Sequence, residues 1–583
     1  MKTLWMLIYL TKRFPRYVFG HFISEILTAL PQYVANVLFL KYLMEAILEE
    51  RSLNKMLAIF AGTALFLIVA DVYNAWFLHK IKPYEENRIQ REFYIEIKTT
   101  AEQQDLDVYD NPNFYDQMTY VSEHIFKDTL TLLSHVSKIT ASAINIALVI
   151  NLFYEIGFGI FLIALLSTIL SATFEVPVVR LKNRRKYELN RMERKRAYFR
   201  DCFLKREYFP ELKMTPIASL LHTKYDSTVN EQFSSERQYG IKLFLLNYLR
   251  DLLTSTILMN LVLISYLLYE ILVSHTLHSS EFIATYNATN MVIGAITEII
   301  VLCGQLAASA YTVEKYRTFI SFKSPRKQNT ENNWNGIKTI EFKHVSFAYP
   351  GTDKTVLSNI NLRICSGEKI AIVGRNGSGK TTLVHLLMGL YYPTEGEILV
   401  NDKLLQHEDY PLYRHHFTAF FQGMKPLEAT VAENVSLDTD VDLHKVCLAL
   451  QRTNCNDIFS DPENTLIGIQ FAPTGRILSG GECQRLMLAH CFYSDKSILV
   501  MDEPSSALDP VAERDFNLKL AELSGTKLAI FVSHRLSTVH MADHIYVIEN
   551  GRLCAQGSHD KLMHEQGIYQ EMWNIQLEKY GNI

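Results

Sequence analysis

A glycine-rich run at residues 374–381 constrains the fold of this chain more than any other feature. It reads G-x-x-x-x-G-K-T, follows the apolar stretch 369–373 and precedes a stretch of helical composition at 383–390. Glycines let backbone N–H groups turn inward around a phosphate, and the start of a helix adds the positive end of its dipole. The pattern therefore predicts a phosphate-binding loop between a buried strand and a helix of an α/β domain.

Individual side chains of this loop have distinct expected roles. We expect the Lys380 ammonium to contact the β- and γ-phosphates of ATP, and the Thr381 hydroxyl to bind Mg²⁺. The expected ATP contacts are Gly374, Arg375, Asn376, Gly377, Ser378, Gly379, Lys380, Thr381 and Thr382. The sequence thus predicts an ATP site with Mg²⁺ as its metal.

A second apolar stretch, residues 497–501, ends in the adjacent carboxylates Asp502 and Glu503. Asp502, at the tip of a buried strand, is expected to hold Mg²⁺ through water. Glu503 would accept a proton from the attacking water as a general base. The pair predicts ATP hydrolysis with Glu503 as a catalytic residue.

The first half of the chain contains apolar stretches of the length that a bilayer requires. The hydrophobic fraction of the whole chain is 48%, but its long apolar stretches end near residue 320. Spanning a membrane takes roughly 20 mostly apolar residues. Six segments qualify: 17–40, 55–76, 132–153, 158–179, 252–272 and 282–308. These predict a polytopic α-helical membrane domain ahead of the α/β domain.

Basic residues predict the orientation of the spans. Residues 180–206 contain twelve lysines and arginines, and short loops with this excess stay in the cytosol. The long connection 81–128 lies on the same side, so both termini and the α/β domain are expected in the cytosol, in a multi-pass protein of the cell membrane. The predicted domains are 1–321 for the membrane part, 322–338 for the linker and 339–583 for the α/β part.

Net charge and cysteine spacing argue against nucleic-acid-binding, disulfide-rich and zinc-binding proteins. The net charge of −4 gives no reason to expect nucleic-acid binding. The eight cysteines form no C-x-x-C pair, so neither a disulfide framework nor a zinc site is expected. The expected surroundings are membrane lipid and an unidentified transported substrate.

The run Leu478-Ser479-Gly480-Gly481-Glu482 resembles the L-S-G-G-Q signature of the ATP-binding cassette (ABC) family. Other motifs of that family follow the same order along this chain. By resemblance, Tyr349 stacks on adenine, Gln422 links Mg²⁺ to the membrane domain, and Asp509, in residues 506–509, crosses the nucleotide-sandwich dimer. His534 resembles the switch histidine that contacts the γ-phosphate.

The resemblance implies a working dimer. Ser479, Gly480, Gly481 and Glu482 would contact ATP bound by a partner cassette, because one cassette's signature is too far from its own phosphate loop. One cassette per chain implies a half-transporter, with a homodimer favoured and a heterodimer open. Intact Glu503 and His534 imply hydrolysis.

Two positions depart from the family pattern. Glu482 replaces the usual glutamine, a change that many cassettes carry. Residues 472–475 read Ala-Pro-Thr-Gly, where many exporters use G-E-x-G to touch the membrane domain. We expect the first change to be harmless and the second contact to be made differently.

The membrane half is also similar to bacterial ABC exporters with six spans fused ahead of the cassette. Residues 110–116, Asp-Asn-Pro-Asn-Phe-Tyr-Asp, are similar to a segment of their first cytosolic loop, although an ordinary turn would explain them too. The resemblance implies an ATPase coupled to export by alternating access. A lipid flippase and an ATP-gated regulator or channel remain alternatives. Coupling is expected through 110–115 and 208–213.

Two polar stripes follow helical spacing within the first and sixth spans. The first contains His21, Glu25, Thr28, Gln32 and Asn36, and the second contains Asn287, Asn290, Gly294, Glu298 and Gln305. Carboxylates within a span should face protein or water. The stripes are either interhelical hydrogen-bonding groups or the lining of a substrate pathway, for which the candidates are Glu25, Gln32, Asn287, Asn290 and Glu298.

Overall fold

The chain divides into two compact units. The helical unit comprises Met1–Ala101 and Gln117–Phe322, and the α/β unit comprises Glu102–Asp116 and Lys323–Ile583. The α/β unit therefore includes residues 102–116 of the connection between spans two and three, in addition to the predicted linker from Lys323 on and the predicted α/β part. The computed structural model describes residues 2–47, 53–156, 158–205, 208–274, 277–278, 281–322, 336–352, 354–421, 424–469, 473–502, 514, 518–519, 521–522, 527–533, 539–540 and 542–581.

Among the described residues, the regular secondary structure up to Ser321 is entirely helical. The helices are α1 (Lys2–Arg13), α2 (Pro15–Tyr33), α3 (Phe39–Glu45), α4 (Leu53–Trp76), α5 (Lys82–Glu102), α6 (Leu106–Tyr109), α7 (Pro112–Ile156), α8 (Phe158–Leu204), α9 (Phe209–Met214), α10 (Ile217–Asp251), α11 (Ile264–Leu272) and α12 (Phe282–Ser321). π-Helical stretches at Val34–Leu38, Phe77–Ile81 and Leu252–Leu263 continue α2 into α3, α4 into α5, and α10 into α11.

Among the described residues, six helical segments are long and apolar enough to cross a membrane, which confirms the six predicted spans. Most extend well beyond the predicted apolar stretch. They are Pro15–Glu45, Leu53–Glu102, Pro112–Ile150, Gly159–Leu204, Ile217–Leu272 and Phe282–Ser321. The charged residues Asp71 and Lys80 do not break the second segment. Asp71 lies within α4, and Lys80 lies in the π-helical turn that continues α4 into α5.

Spans one, three and six pack together in the helical unit. Tyr33 and Val37 from the first span meet Val149 of α7 and Ala288 and Val292 of α12 in one buried cluster. Small alanine side chains allow close approach of helices within a membrane. This contact determines which faces of the three spans lie together.

The α/β unit contains two sheets. Its strands are β1 (Thr339–Ala348), β2 (Thr355–Cys365), β3 (Lys369–Val373), β4 (Glu395–Val400), β5 (Lys403–Leu404), β6 (Phe417–Phe420), β7 (Ile498–Asp502), β8 (Leu528–Val532), β9 (His544–Glu549) and β10 (Arg552–Gly557). An antiparallel sheet has the order β2-β1-β4-β5, and a larger sheet has the order β10-β9-β3-β8-β7-β6. In the larger sheet, β9, β3, β8, β7 and β6 run parallel, and β10 returns antiparallel.

The helices of this unit complete an α/β architecture, as the sequence predicts. Besides α6, they include α13 (Lys380–Leu387), α14 (Tyr410–Arg414), α15 (Val431–Ser436), α16 (Leu443–Arg452), α17 (Gly480–Ser494), α18 (His559–His564) and α19 (Ile568–Gly581). Strands β7 and β8 are buried at every position, as expected of parallel strands covered on both faces. The ends of β3 and β7 carry the predicted site residues.

Candidate nucleotide-binding site

The phosphate loop joins the end of β3 to the start of α13. Gly379 is the residue before the helix and has φ +103°, a conformation that favours glycine. Gly377 has φ +77°, and no described heavy atom lies within 4 Å of the position a Cβ would take there. The loop therefore surrounds open space, as a phosphate-binding loop must.

Two buried side chains of the loop are placed to contact a bound triphosphate. The Lys380 ammonium is largely buried and donates to the carbonyl oxygens of Gly374 at 3.0 Å and Arg375 at 3.1 Å. The Ser378 hydroxyl is buried and has no hydrogen-bond partner among the described residues. A buried hydroxyl normally has a partner, and a phosphate oxygen would supply one.

Thr381 and Asp502 meet, although 121 residues separate them along the chain. The Thr381 hydroxyl donates to a carboxylate oxygen of Asp502 at 3.2 Å. Asp502 is the last residue of β7, is buried, and lies in the sheet on the far side of β8 from β3. A hydroxyl and a carboxylate are hard oxygen donors, the kind Mg²⁺ prefers.

The predicted adenine-stacking residue lies next to the phosphate loop. Tyr349 follows β1, and its hydroxyl is 2.9 Å from the Thr382 hydroxyl. Its ring packs edge-on against Phe347 and Tyr391, with centroid distances of 5.1 and 5.5 Å. The ring is only partly buried, so one side of it remains accessible.

The signature forms the start of α17. The Ser479 hydroxyl accepts from the Glu482 N–H, and the Glu482 carboxylate accepts from the Ser479 N–H at 2.8 Å, which is a capping box. Arg476 pairs with the other carboxylate oxygen of Glu482 at 2.8 Å. The pKa of the Glu482 carboxyl is lowered, mainly by the hydrogen bond from the Ser479 N–H and further by the positive charge of Arg476. Ser479 and Gly480 are exposed at this helix start.

The capping box explains locally why glutamate replaces glutamine. Either side chain accepts a hydrogen bond from the N-cap N–H. Glutamate adds an ion pair with Arg476, which glutamine lacks. The helix start is therefore preserved at the position that departs from the family pattern.

A segment of the connection between spans two and three packs within the α/β unit, through contacts that the sequence did not predict. Asp105 accepts hydrogen bonds from Arg414 and from the Tyr392 hydroxyl. Asp110 accepts from the Tyr391 hydroxyl at 2.5 Å. Leu106 packs against the buried core. No sequence pattern signals these partners, because they lie hundreds of residues away.

Phe114, within the segment expected to take part in coupling, is buried at 3% exposure. Its ring meets the Tyr109 ring edge-on at 5.6 Å. The neighbouring Tyr115 is exposed. In the helical unit, the short helix α9 covers the second expected coupling region and leaves Phe209 and Met214 exposed.

Several predicted residues lie outside the described residues. These are Gln422, Glu503, Asp509 and His534, together with Ala472 of the altered exporter motif. Their proposed roles stay predictions. Glu503 directly follows Asp502, whose position at the end of β7 is described.

In the two polar stripes of the helical unit, some side chains make interhelical hydrogen bonds and others are exposed. His21 is buried and its Nδ1 lies 3.2 Å from the Ser137 hydroxyl, while Asn287 donates to the Asn36 carbonyl at 2.9 Å. These contacts are interhelical hydrogen bonds. The exposed members are Thr28, Gln32, Asn36, Asn290, Gly294 and Glu298. The stripes therefore contain both interhelical hydrogen-bonding groups and accessible polar groups.

Comparisons with known proteins agree with this architecture. The family model described as "ABC transporter" matches residues 357–506. The subtilin transport ATP-binding protein SpaT of Bacillus subtilis is 27% identical over 485 residues, covering 81% of this chain and 77% of that protein. The ATP-dependent lipid A-core flippase of Burkholderia orbicola is 37% identical over 243 residues, which is 41% of this chain and 40% of the flippase.

A solved structure extends the likeness in fold to both units. The ATP-bound structure of a bacterial Atm1-family ABC exporter superposes with a TM-score of 0.78 and covers 96% of this chain and 98% of that one, at 21% identity. Fold and site together define a membrane transporter driven by ATP. The chain carries an ABC transporter domain at residues 357–506 and is similar to bacterial ABC exporters, with six candidate spans ahead of one ATP-hydrolysing cassette among the described residues. The predicted family, fold class and enzyme class are thereby confirmed.

Proposed function

We propose that two copies of this chain form the working exporter, and that each cassette covers the ATP bound by the other. The exposed start of α17, at Ser479 and Gly480, carries this proposal. A helix start is an anion site because its first N–H groups and dipole point outward. A second copy would bring that site to the open side of the phosphate loop, and residues near Asp509 would cross the dimer.

We assign the hydrolytic roles to residues at and around the phosphate loop. Thr381, Asp502 and Gln422 would hold Mg²⁺, which supplies charge neutralisation at the phosphates when bound. Lys380 and the loop N–H groups would orient the triphosphate. Glu503 would take the proton of the attacking water, and His534 would contact the γ-phosphate. The buried Ser378 hydroxyl and the Thr381–Asp502 contact support this assignment.

Loop contacts would couple hydrolysis to transport. The first loop would follow cassette movement through Asp105 and Asp110, which are held by Arg414 and Tyr391. The exposed Phe209 on α9 would dock on a cassette of the dimer. The basic residues of 180–206 support a cytosolic location for these loops, both termini and the cassette.

The proposed pathway is lined by the polar stripes of spans one and six. Exposed Gln32, Asn290 and Glu298 would meet the cargo, together with Glu25 and Asn287. Amide and carboxylate groups suit a polar or cationic cargo such as a peptide better than a hydrocarbon chain. One relative is named for transport of subtilin and others as lipid A-core flippases, but polar lining favours the first kind of cargo.

Reconstitution tests the proposed cycle. Purified protein in inside-out vesicles is expected to accumulate cargo only with ATP and Mg²⁺, with both chains of the dimer identical. ATP-dependent passive leakage in either direction would indicate gating in place of pumping. A chain that stays monomeric with ATP, yet hydrolyses it at an undiminished rate, would contradict the shared-site dimer.

A further inference from the structure

Charged side chains from three spans lie near one another within the helical unit. Glu25 of span one interacts electrostatically with Lys138 of span three and Glu298 of span six. His21 lies 3.9 Å from Glu25 and also interacts with Lys138. Each of the three charged residues lies in the half of its predicted span nearer the cytosol. We call Glu25, Lys138 and Glu298 the membrane charge cluster.

Hydrogen bonds fix the cluster on its α7 side. The Ser142 hydroxyl, four residues after Lys138, donates to the Glu298 carboxylate at 2.7 Å. The Ser137 hydroxyl lies 3.2 Å from His21. Span three therefore holds the Glu298 carboxylate directly and contacts His21, which lies beside the Glu25 carboxylate.

The cluster has more negative than positive charge. Its three residues are two carboxylates and one ammonium. Lys82 also interacts with Glu25, but its ammonium lies 3.9 Å from Glu86, which compensates it. A charge within a membrane is costly unless it is paired. One further positive charge would complete the pairing.

Two independent features leave room and a polar contact for such a group. Asn145 is 7% exposed, and its amide oxygen has no partner among the described residues. It lies on α7 between Ser142, which bonds Glu298, and Val149, which packs on span six. The amide therefore faces span six about one turn from Glu298. Around Gly294, no described atom lies within 4 Å of a Cβ position.

We propose that the membrane charge cluster is a binding site for an alkylammonium or guanidinium group of the cargo. Lys138 serves as the tethered cation that shares the two carboxylates while the site is empty. An entering cationic group is bound by Glu25 and Glu298. The Asn145 amide oxygen accepts a hydrogen bond from an N–H group of that cation. This inference rests on the proposed export function and adds the side chains that would bind a cationic group of the cargo.

Binding of a matched pair of peptides to the full-length protein in nanodiscs tests the site. The first probe is a fluorescent apolar peptide that carries a pair of lysines, and the second has norleucine at both positions. We expect the lysine peptide to bind on the order of tenfold more tightly, the scale of one charge-assisted contact. Glu298→Gln and Glu25→Gln should each weaken the lysine peptide and leave the norleucine peptide unchanged.

Lys138→Met provides a test in the opposite direction. Removing the tethered cation should tighten binding of the lysine peptide severalfold, whereas Lys138→Arg should not. Asp71→Asn is the matched control, because Asp71 is an exposed carboxylate of span two outside the cluster. Unchanged binding of the norleucine peptide by each variant reports that the helical unit is folded, and if a glutamine variant does not fold, Lys138→Met alone decides.

Defined outcomes overturn the inference. Equal binding of the two peptides, or no binding of either, would contradict the inference. A preference for the lysine peptide that survives in the double variant Glu25→Gln, Glu298→Gln would contradict it too. Carboxylate-dependent binding of potassium without peptide preference would identify an inorganic cation site instead. ATP hydrolysis and its arrest by Glu503→Gln test the export cycle separately. A hydrolysing dimer that ignores peptide charge would therefore contradict this inference alone.

Discussion

Both terminal nitrogens of Arg414 donate to the same carboxylate oxygen of Asp105, each at 3.1 Å. The other oxygen of Asp105 accepts from the Tyr392 hydroxyl at 2.7 Å, and Arg414 also donates to the Gly389 carbonyl. Asp105 directly precedes α6 in the connection between spans two and three. A single carboxylate thus joins that loop to one residue that precedes β4 and another that follows β5 in the chain.

Asp105→Asn should uncouple transport from hydrolysis. The substitution removes the charge of a largely buried ion pair and leaves Arg414 uncompensated, at a cost of about 1–3 kcal/mol. Nucleotide affinity should stay near the original value, because the phosphate loop is untouched. The measurement is cargo transported per ATP hydrolysed, with the exposed Asp116→Asn as control. Reduced ATP affinity with a normal transport ratio would contradict the expected role.

Phe114→Ala should also uncouple transport from hydrolysis, in this case through loss of packing. Phe114 is buried, and its ring contacts Tyr109, so truncation removes apolar contact that positions the loop. The exposed neighbour allows a control, Tyr115→Ala. We expect Phe114→Ala to hydrolyse ATP with little transport and Tyr115→Ala to keep both. Loss of nucleotide affinity in Phe114→Ala would indicate a role inside the cassette.

Lys380→Ala and Tyr349→Ala should differ in severity. Lys380→Ala removes the buried ammonium of the phosphate loop, so ATP binding should be lost. Tyr349→Ala removes a stacking surface, and base–aromatic stacking contributes about 1–3 kcal/mol. Nucleotide titration by fluorescence or calorimetry measures both affinities. An equal loss in the two variants would be inconsistent with these roles.

Glu482→Gln should alter the pH dependence of stability while keeping the helix start. The folded-state pKa of Glu482 is lowered, so its contribution is present above the unfolded pKa and is lost as pH falls through the lowered folded value. A glutamine side chain has no such titration. Thermal unfolding between acid and neutral pH should therefore depend less steeply on pH in Glu482→Gln. Glu482→Ala, which breaks the capping box and the ion pair with Arg476, should lower stability at neutral pH.

Glu503→Gln should bind ATP and fail to turn it over. The amide cannot accept the proton of the attacking water, whereas Lys380 and Thr381 still hold the nucleotide. The cassettes should then stay associated with ATP, which size-exclusion chromatography detects. Undiminished hydrolysis by a homodimer of this variant would exclude Glu503 as the general base.

Contiguous motifs made most of the cassette predictable. The phosphate loop, the signature and the six spans each depend on neighbouring residues, whose composition and spacing act within one strand, turn or helix. The structure accordingly has Lys380 in the loop, Ser479 at the start of α17 and six helices suited to a membrane. The segment Glu102–Asp116 was not expected in the α/β unit, because its partners are distant in sequence.

The amino-acid sequence by itself determined the family, the two-part architecture and the chemistry of the phosphate loop, because those properties are encoded in short runs of adjacent residues. Only the tertiary structure decided which distant groups meet: Thr381 with Asp502, Asp105 with Arg414, and Glu298 with Ser142. Such pairs depend on strand order and on the faces with which helices pack. A helix or strand exposes several faces of similar composition, and packing of the whole chain selects among them.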